Sequence, residues 1–134
     1  MFKALIIAMC IFPSDTVPRE IEIKEPPAKY RKDNVVRIEF LPEKAVQQKC
    51  QQLTGAREAT ACASVELMTM PLACGNSSKY AKIVCDTVGD KATFVTFPST
   101  LPNPCSFKRG GEYADLMCHE LGHVNGWSAK HPRK

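Results

Sequence analysis

Several signals are absent from this 134-residue chain, and each absence removes a class of function. No apolar run approaches the ~20 residues that a membrane-spanning helix needs. The formal charge of +4 is mild, and no basic stripe is interleaved with aromatics, so nucleic acid is not an expected partner. Lys130, Arg133 and Lys134 form a small basic tail that reads as a solvated end. No C-x-x-C pair occurs among the seven cysteines. No prosegment of a familiar kind is visible, and the length suits one domain with a modest core.

What is present begins with an export signal. Lys3 precedes a short apolar run at 4–12, the pattern of a secretory leader over residues 1–12. Ile7-Ala8-Met9-Cys10 resembles a bacterial lipobox, so any membrane attachment is expected only through a lipid anchor at Cys10. Setting Cys10 aside leaves Cys50, Cys62, Cys74, Cys85, Cys105 and Cys118. An even count of this kind reads as a disulfide framework made in an oxidising compartment, with 15 possible pairings. The expected location is therefore periplasmic, secreted or at the cell envelope. Asn76-Ser77-Ser78 fits a glycosylation sequon, which is incidental behind a bacterial leader.

Residues 13–34 read as a Pro-rich linker, with Pro13, Pro18, Pro26 and Pro27 among scattered charges. Within it, 20–24 alternates Ile21 and Ile23 with charged residues and suggests a short edge strand. The domain proper is expected over 35–134. Val36, Ile38 and Phe40 alternate with Arg37 and Glu39, predicting a strand at 35–41. Pro42 then opens a helix at 43–53, with Val46, Cys50 and Leu53 at helical spacing and Gly55 as its stop. Residues 59–68 are predicted as a strand, and 71–79 as a loop. Two further strands, 81–86 and 92–97, are expected to form a hairpin about Gly89 and Asp90. Pro98, Pro102 and Pro104 interrupt the chain before Gly110-Gly111 and a final helix at 112–125. The order predicts an α+β domain in which both helices cover one face of a mostly antiparallel sheet.

The final helix carries the chemistry, in Cys118-His119-Glu120-Leu121-Gly122-His123-Val124-Asn125-Gly126-Trp127. Residues four apart on a helix share a face, so His119 and His123 can direct two imidazole nitrogens at one metal ion. Glu120 is rotated away from the ligand line and can act as general base on a water without binding the metal. A bare H-E-x-x-H arises by chance in about one chain in a few hundred of this size. The added glycine and further histidine make accident much rarer. Gly126 can reverse the chain and bring back His131 as a third ligand. Cys118 points off the ligand face and is better placed to pin the helix through a disulfide.

This stretch resembles the zincin metallopeptidases, and within them the metzincin pattern H-E-x-x-H-x-x-G-x-x-H. His119, Glu120, His123 and Gly126 match it residue by residue. Ala129 stands where the third histidine belongs, and His131 lies two residues beyond. The form H-E-x-x-H-x-x-G-W-x-x-x-H looks like small bacterial secreted zincins, although no Met-turn follows the site. The resemblance covers about a tenth of the chain. It implies Zn²⁺ as cofactor, held by His119, His123 and His131, with Glu120 catalytic and a zincin-like domain around them. It also implies an edge strand, either 93–98 or 59–66, that binds an extended peptide by strand addition.

Trp127 is a candidate wall of the substrate pocket or packing beneath the turn. Asp115 could orient a ligand histidine, or serve as a fallback ligand. Tyr113 faces away, and Leu116, Met117, Leu121 and Val124 are expected in the core. The resulting expectation is an exported zinc peptidase acting on a protein, a peptide or a cell-wall peptide. Its rivals are a disulfide-stapled binding module with a non-catalytic zinc site, and a surface structural factor in which the motif is accidental.

Overall fold

Alternation builds the first strand. In the computed structural model, which describes residues 23–107 and 110–133, β1 (Val36–Leu41) buries Val36, Ile38 and Phe40 and turns Arg37 and Glu39 to the other face. The leader, Cys10 and residues 13–22 lie outside the described residues. Pro42 cannot continue the β ladder and instead caps α1 (Glu43–Thr54), which Gly55 ends in the left-handed region at φ 79°. The stretch expected as one strand at 59–68 is divided. Ser64 forms a turn, donating its backbone N–H to the Leu67 carbonyl at 2.8 Å, and separates β2 (Cys62–Ala63) from β3 (Leu67–Pro71).

Two expectations fail after β3. Residues 81–86 are not a strand: they belong to α2 (Lys79–Val88), so the hairpin with 92–97 does not exist. Tyr80, Ala81 and Val84 are all buried, and their i, i+1, i+4 spacing is a helical face that the β-branched run at 83–84 obscures. Asn76 accepts a hydrogen bond from the Ser78 backbone at 2.9 Å just before the helix, and Gly89 ends it. β4 (Thr93–Phe97) consequently pairs with β1, antiparallel, with Val36 opposite Phe97 and Phe40 opposite Thr93. α3 (Glu112–Val124) closes the order.

The sheet runs β2-β3-β1-β4 and is mixed: β1 and β3 are parallel, while β2–β3 and β1–β4 are antiparallel. The parallel pair follows from the crossover that α1 makes between them. Ile38, Phe40, Met68 and Met70 form one face, packed with Tyr80, Val84, Met117 and Leu121 of α2 and α3. α1 does not join them, contrary to the expected single covered face. Cys62 sits opposite Thr69, which shares its face with Glu39. The Cys50–Cys62 bridge and the Lys49–Glu39 ion pair at 3.4 Å therefore hold α1 on the other side.

The result is a small α+β domain stapled by three disulfides. The other two, Cys74–Cys85 and Cys105–Cys118, tie the exit of β3 to α2 and the 104–106 turn to α3. Each closes a short loop, and loop closure of this length stabilises by roughly 3 kcal/mol in the chain-entropy account. Such bridges suit an oxidising compartment, and no helix among the described residues is long and apolar enough to cross a membrane.

Residues 23–34 make no strand; 23 and 24 are irregular, and a single 3-10 turn follows at Ala28–Tyr30. This stretch lies along α3. Asn125, the residue that ends α3, donates its amide to the carbonyls of Tyr30 and Lys32, both at 2.8 Å. Asn103 donates to the Arg31 carbonyl at 2.9 Å and the Asp33 carboxylate at 2.7 Å. Pro26 is buried against Gly122 of α3.

Candidate metal centre

α3 is held from three directions before any site chemistry is considered. Tyr113, Ala114, Met117, Leu121 and Val124 are buried in the core, Tyr113 donates its hydroxyl to the Pro71 carbonyl, and Cys118 is bridged to Cys105. Leu116 is half-buried and packs against the same core from the cleft side. That leaves the face carrying residues 119, 120 and 123 to look outward, past the sheet edge formed by β2.

Helical spacing then places the first two histidines. Nε2 of His119 and Nε2 of His123 are 3.3 Å apart. At the helix end Gly126 takes φ 102°, with nothing within 4 Å of where a Cβ would sit, so the requirement for glycine is conformational and not steric. Trp127 donates its backbone N–H to Gly122 at 2.9 Å, and the chain folds back. His131 arrives in the left-handed region at φ 57°, a conformation that costs a non-glycine residue about 1–2 kcal/mol. Its Nε2 ends 3.0 Å from Nε2 of His123. The chain has three histidines, and all three offer a ligand atom within 4.8 Å of the others.

The outer partners of these rings fix what the inner nitrogens are. Nδ1 of His119 lies 2.7 Å from the Lys24 carbonyl, and Nδ1 of His123 lies 2.8 Å from the Trp127 carbonyl. A carbonyl only accepts, so each Nδ1 must carry the proton and, in a neutral ring, each Nε2 presents a bare lone pair. Protonation is disfavoured: burial, with help from His123, His131 and Lys24, lowers the His119 pKa to about 4 against the upward pull of the Lys24 carbonyl. Burial followed by His123 and Lys24 lowers that of His131. Neutral imidazoles converging through lone pairs, with Nδ1 of His119 and His123 held by carbonyls, match the outer-sphere pattern of metal-ligating histidine. A tetrahedral ion bonded to nitrogen at about 2.0–2.1 Å sets its ligands roughly 3.3 Å apart. The observed 3.3 and 3.0 Å spacings are close to that edge. The three residues fit a metal ion.

Trp127 is 3% exposed and packs within the cluster. Its ring stacks on His123 at 5.0 Å and meets His119 and His131 edge-on at 5.1 and 4.9 Å, while its indole N–H donates to the Pro132 carbonyl at 2.7 Å. It is chiefly the platform under the imidazoles and reaches the cleft only at its margin. Asp115 is exposed and is not the partner of His119; the Lys24 carbonyl is.

Glu120 is 6% exposed, and burial alone pushes its carboxyl up to about 8. It borders an open cleft beside His119 and His131. One lobe of about 510 Å³ runs along 56–61 to Leu116 and Ile23, and another of about 510 Å³ runs along 61–65 to Trp127. The free edge of β2 flanks the second lobe, whereas β4, the other edge considered, lies across the sheet. A buried acid with a raised pKa beside a cation site is a group whose charge state the cation would control.

Motif spacing located the three histidines and Glu120. It could not locate the Lys24 carbonyl, because a backbone acceptor leaves no mark in side-chain type. Nor did it single out Gly122, where an added Cβ would stand 2.7 Å from Pro26 Cβ and 3.0 Å from the Trp127 ring.

Comparison with known proteins returned no match to any family model, curated protein or solved structure. The resemblance to zincins therefore rests on the sequence motif alone.

Proposed function

We propose that this protein is an exported zinc-dependent peptidase. One observation carries the reading: three imidazoles converge through Nε2 beside a buried glutamate, in a cleft bordered by a free strand edge. An all-imidazole set of three suits zinc, which commonly keeps a fourth position open at catalytic sites. Zinc held by His119, His123 and His131 would supply Lewis acidity to a carbonyl and ease ionisation of a water.

The protein's own residues do the rest. An extended peptide laid on the outer edge of β2 gains backbone hydrogen bonds there and brings a scissile carbonyl past His119 and Glu120. Glu120 takes the proton of the attacking water and returns it to the leaving amine. A carboxyl beside the attacking water can make both transfers. One bridge anchors β2 to α1 and another anchors α3 to the 104–106 turn, so each wall of the cleft is tied to the scaffold. The substrate class is a peptide bond in a protein or in cell-wall peptide.

The test is metal content of the oxidised protein, wild type beside His131→Ala and Glu120→Gln, followed by peptide hydrolysis. The expected result is one zinc per chain, weakened by His131→Ala, kept by Glu120→Gln, with hydrolysis lost in Glu120→Gln. Zinc that stabilises the fold while Glu120→Gln changes no turnover would instead favour a binding module. A wild type without zinc would overturn the reading.

A further inference from the structure

Residues 23–34 lie against the helix that carries His119, and one of their contacts reaches a ligand ring. The carbonyl oxygen of Lys24 is 2.7 Å from Nδ1 of His119, although the two residues are 95 positions apart. The contacts that follow anchor the segment on either side of the helix end. Two residues on, Pro26 fills the space left by the missing side chain of Gly122, and its own carbonyl accepts from Arg31 Nε at 2.7 Å. Arg31 also pairs with Glu25 at 3.6 Å. Further along, Asn125 takes the carbonyls of Tyr30 and Lys32, and Asn103 takes that of Arg31. Asn125 follows the second ligand by two residues, so the same helix end that presents His123 also latches the segment.

We propose that residues 23–34 are a positioning strap of the metal centre, with the Lys24 carbonyl setting the tautomer and ring orientation of His119. The inference rests on the metal-centre reading above. The physical reason is the inequality between the two helix ligands. His123 receives its carbonyl from Trp127, only four residues away in the same helix-ending turn. His119 sits mid-helix, where the local backbone carbonyls are committed to the helix ladder, and no local acceptor reaches its outer nitrogen. A neutral imidazole free of such a partner divides between tautomers and rotates about its side-chain bonds. A remote carbonyl removes both freedoms and leaves Nε2 bare and aimed. The short proline and glycine surfaces then have a purpose: a side chain on residue 122 would lift Pro26, and with it the oxygen two residues earlier. Lys24 acts through its backbone, and His119 remains the ligand.

A backbone amide-to-ester replacement tests this without altering any side chain. Substituting the α-hydroxy acid analogue of Glu25 makes the Lys24 carbonyl an ester carbonyl, a weaker acceptor. The same change at Ser128 weakens the Trp127 carbonyl that serves His123, and at Asp90 it provides a distant control. Two readouts are taken on the full oxidised chain. Nitrogen-15 NMR of the metal-free protein reports the tautomer of each histidine, and chelator competition reports zinc affinity. The strap predicts that His119 carries its proton on Nδ1 in the wild type and becomes mixed in the Glu25 ester. Zinc affinity should fall about tenfold, at the lower end of what loss of an outer-sphere partner costs. The Ser128 ester should do the same to His123, and the Asp90 ester neither. A His119 proton on Nε2 in the wild type, or zinc affinity in the Glu25 ester within threefold of the Asp90 control, would overturn the strap. Absence of zinc binding in the wild type would instead overturn the metal reading, and the tautomer measurement would still decide the strap.

Discussion

Glu120→Gln should stabilise the metal-free protein at neutral pH. Burial raises the Glu120 carboxyl from 4.5 to about 8, so between those values the folded state holds a proton that the unfolded state has released. Stability contributed by this group is complete below pH 4.5 and is lost progressively as pH rises through 8. With these two values, the loss amounts to about 1 kcal/mol at pH 5 and about 3 kcal/mol at pH 7. Glutamine does not titrate and escapes the loss. Its amide, buried without a charge, carries a cost of its own, but that cost does not depend on pH. The quantity to measure is therefore the change in variant-minus-wild-type stability from pH 5 to pH 7, expected to be about 2.5 kcal/mol in favour of the variant. Urea unfolding of chelator-treated, disulfide-intact protein at both pH values gives it. His119 titrates in the same window but is common to both proteins and cancels. A difference that stays within about 0.5 kcal/mol between the two pH values would refute the burial argument.

Other perturbations separate ligands from scaffold. His131→Ala should weaken zinc binding by at least tenfold in chelator competition, whereas Asp115→Asn should leave it unchanged, since that carboxylate touches no ligand ring. Gly122→Ala forces a Cβ to within 2.7 Å of Pro26 and 3.0 Å of Trp127, and should cost about 1–3 kcal/mol of stability by thermal or urea unfolding. Serine at both 105 and 118 should cost roughly 2–5 kcal/mol and loosen α3, read as lower stability together with weaker zinc retention. Lowering pH should release metal as protons compete for the ligand nitrogens, with retention by dialysis falling as pH approaches the His119 value of about 4.

How much was legible in the sequence follows the physics of each signal. β1 alternates over its whole length and was placed to within a residue. α1 was bounded by Pro42 and Gly55, and α3 by its glycines and periodic core residues, so both were found. α2 was not, because Ile83-Val84 has strand-like composition and the helical spacing of Tyr80, Ala81 and Val84 spans little more than one turn. Losing that helix also misplaced β4, whose true partner is β1. The side of the sheet that α1 covers depends on the register of Cys62 against Thr69, a long-range fact that no local pattern carries. For the site, His119, Glu120 and His123 follow from helical geometry, and His131 from a glycine reversal with room for four intervening residues. The part played by residues 23–34 was hidden because proline and charge read as linker, while their contacts are made by carbonyl oxygens.

The disulfide connectivity has a consequence for how the protein is made. Cys50 joins Cys62, Cys74 joins Cys85, and Cys105 joins Cys118, so among the described residues each cysteine pairs with its next neighbour and no bridge encloses another. A chain threaded amino end first into an oxidising space would expose each pair before the next one arrived. Of the 15 possible pairings, only this one can be completed in order of emergence, two thiols at a time. Oxidation can then keep step with translocation, without the slow exchange of mispaired sulfurs that takes seconds to hours. The last bridge to close is the one that fastens the metal helix, which leaves the histidines assembled only after the rest of the domain is in place.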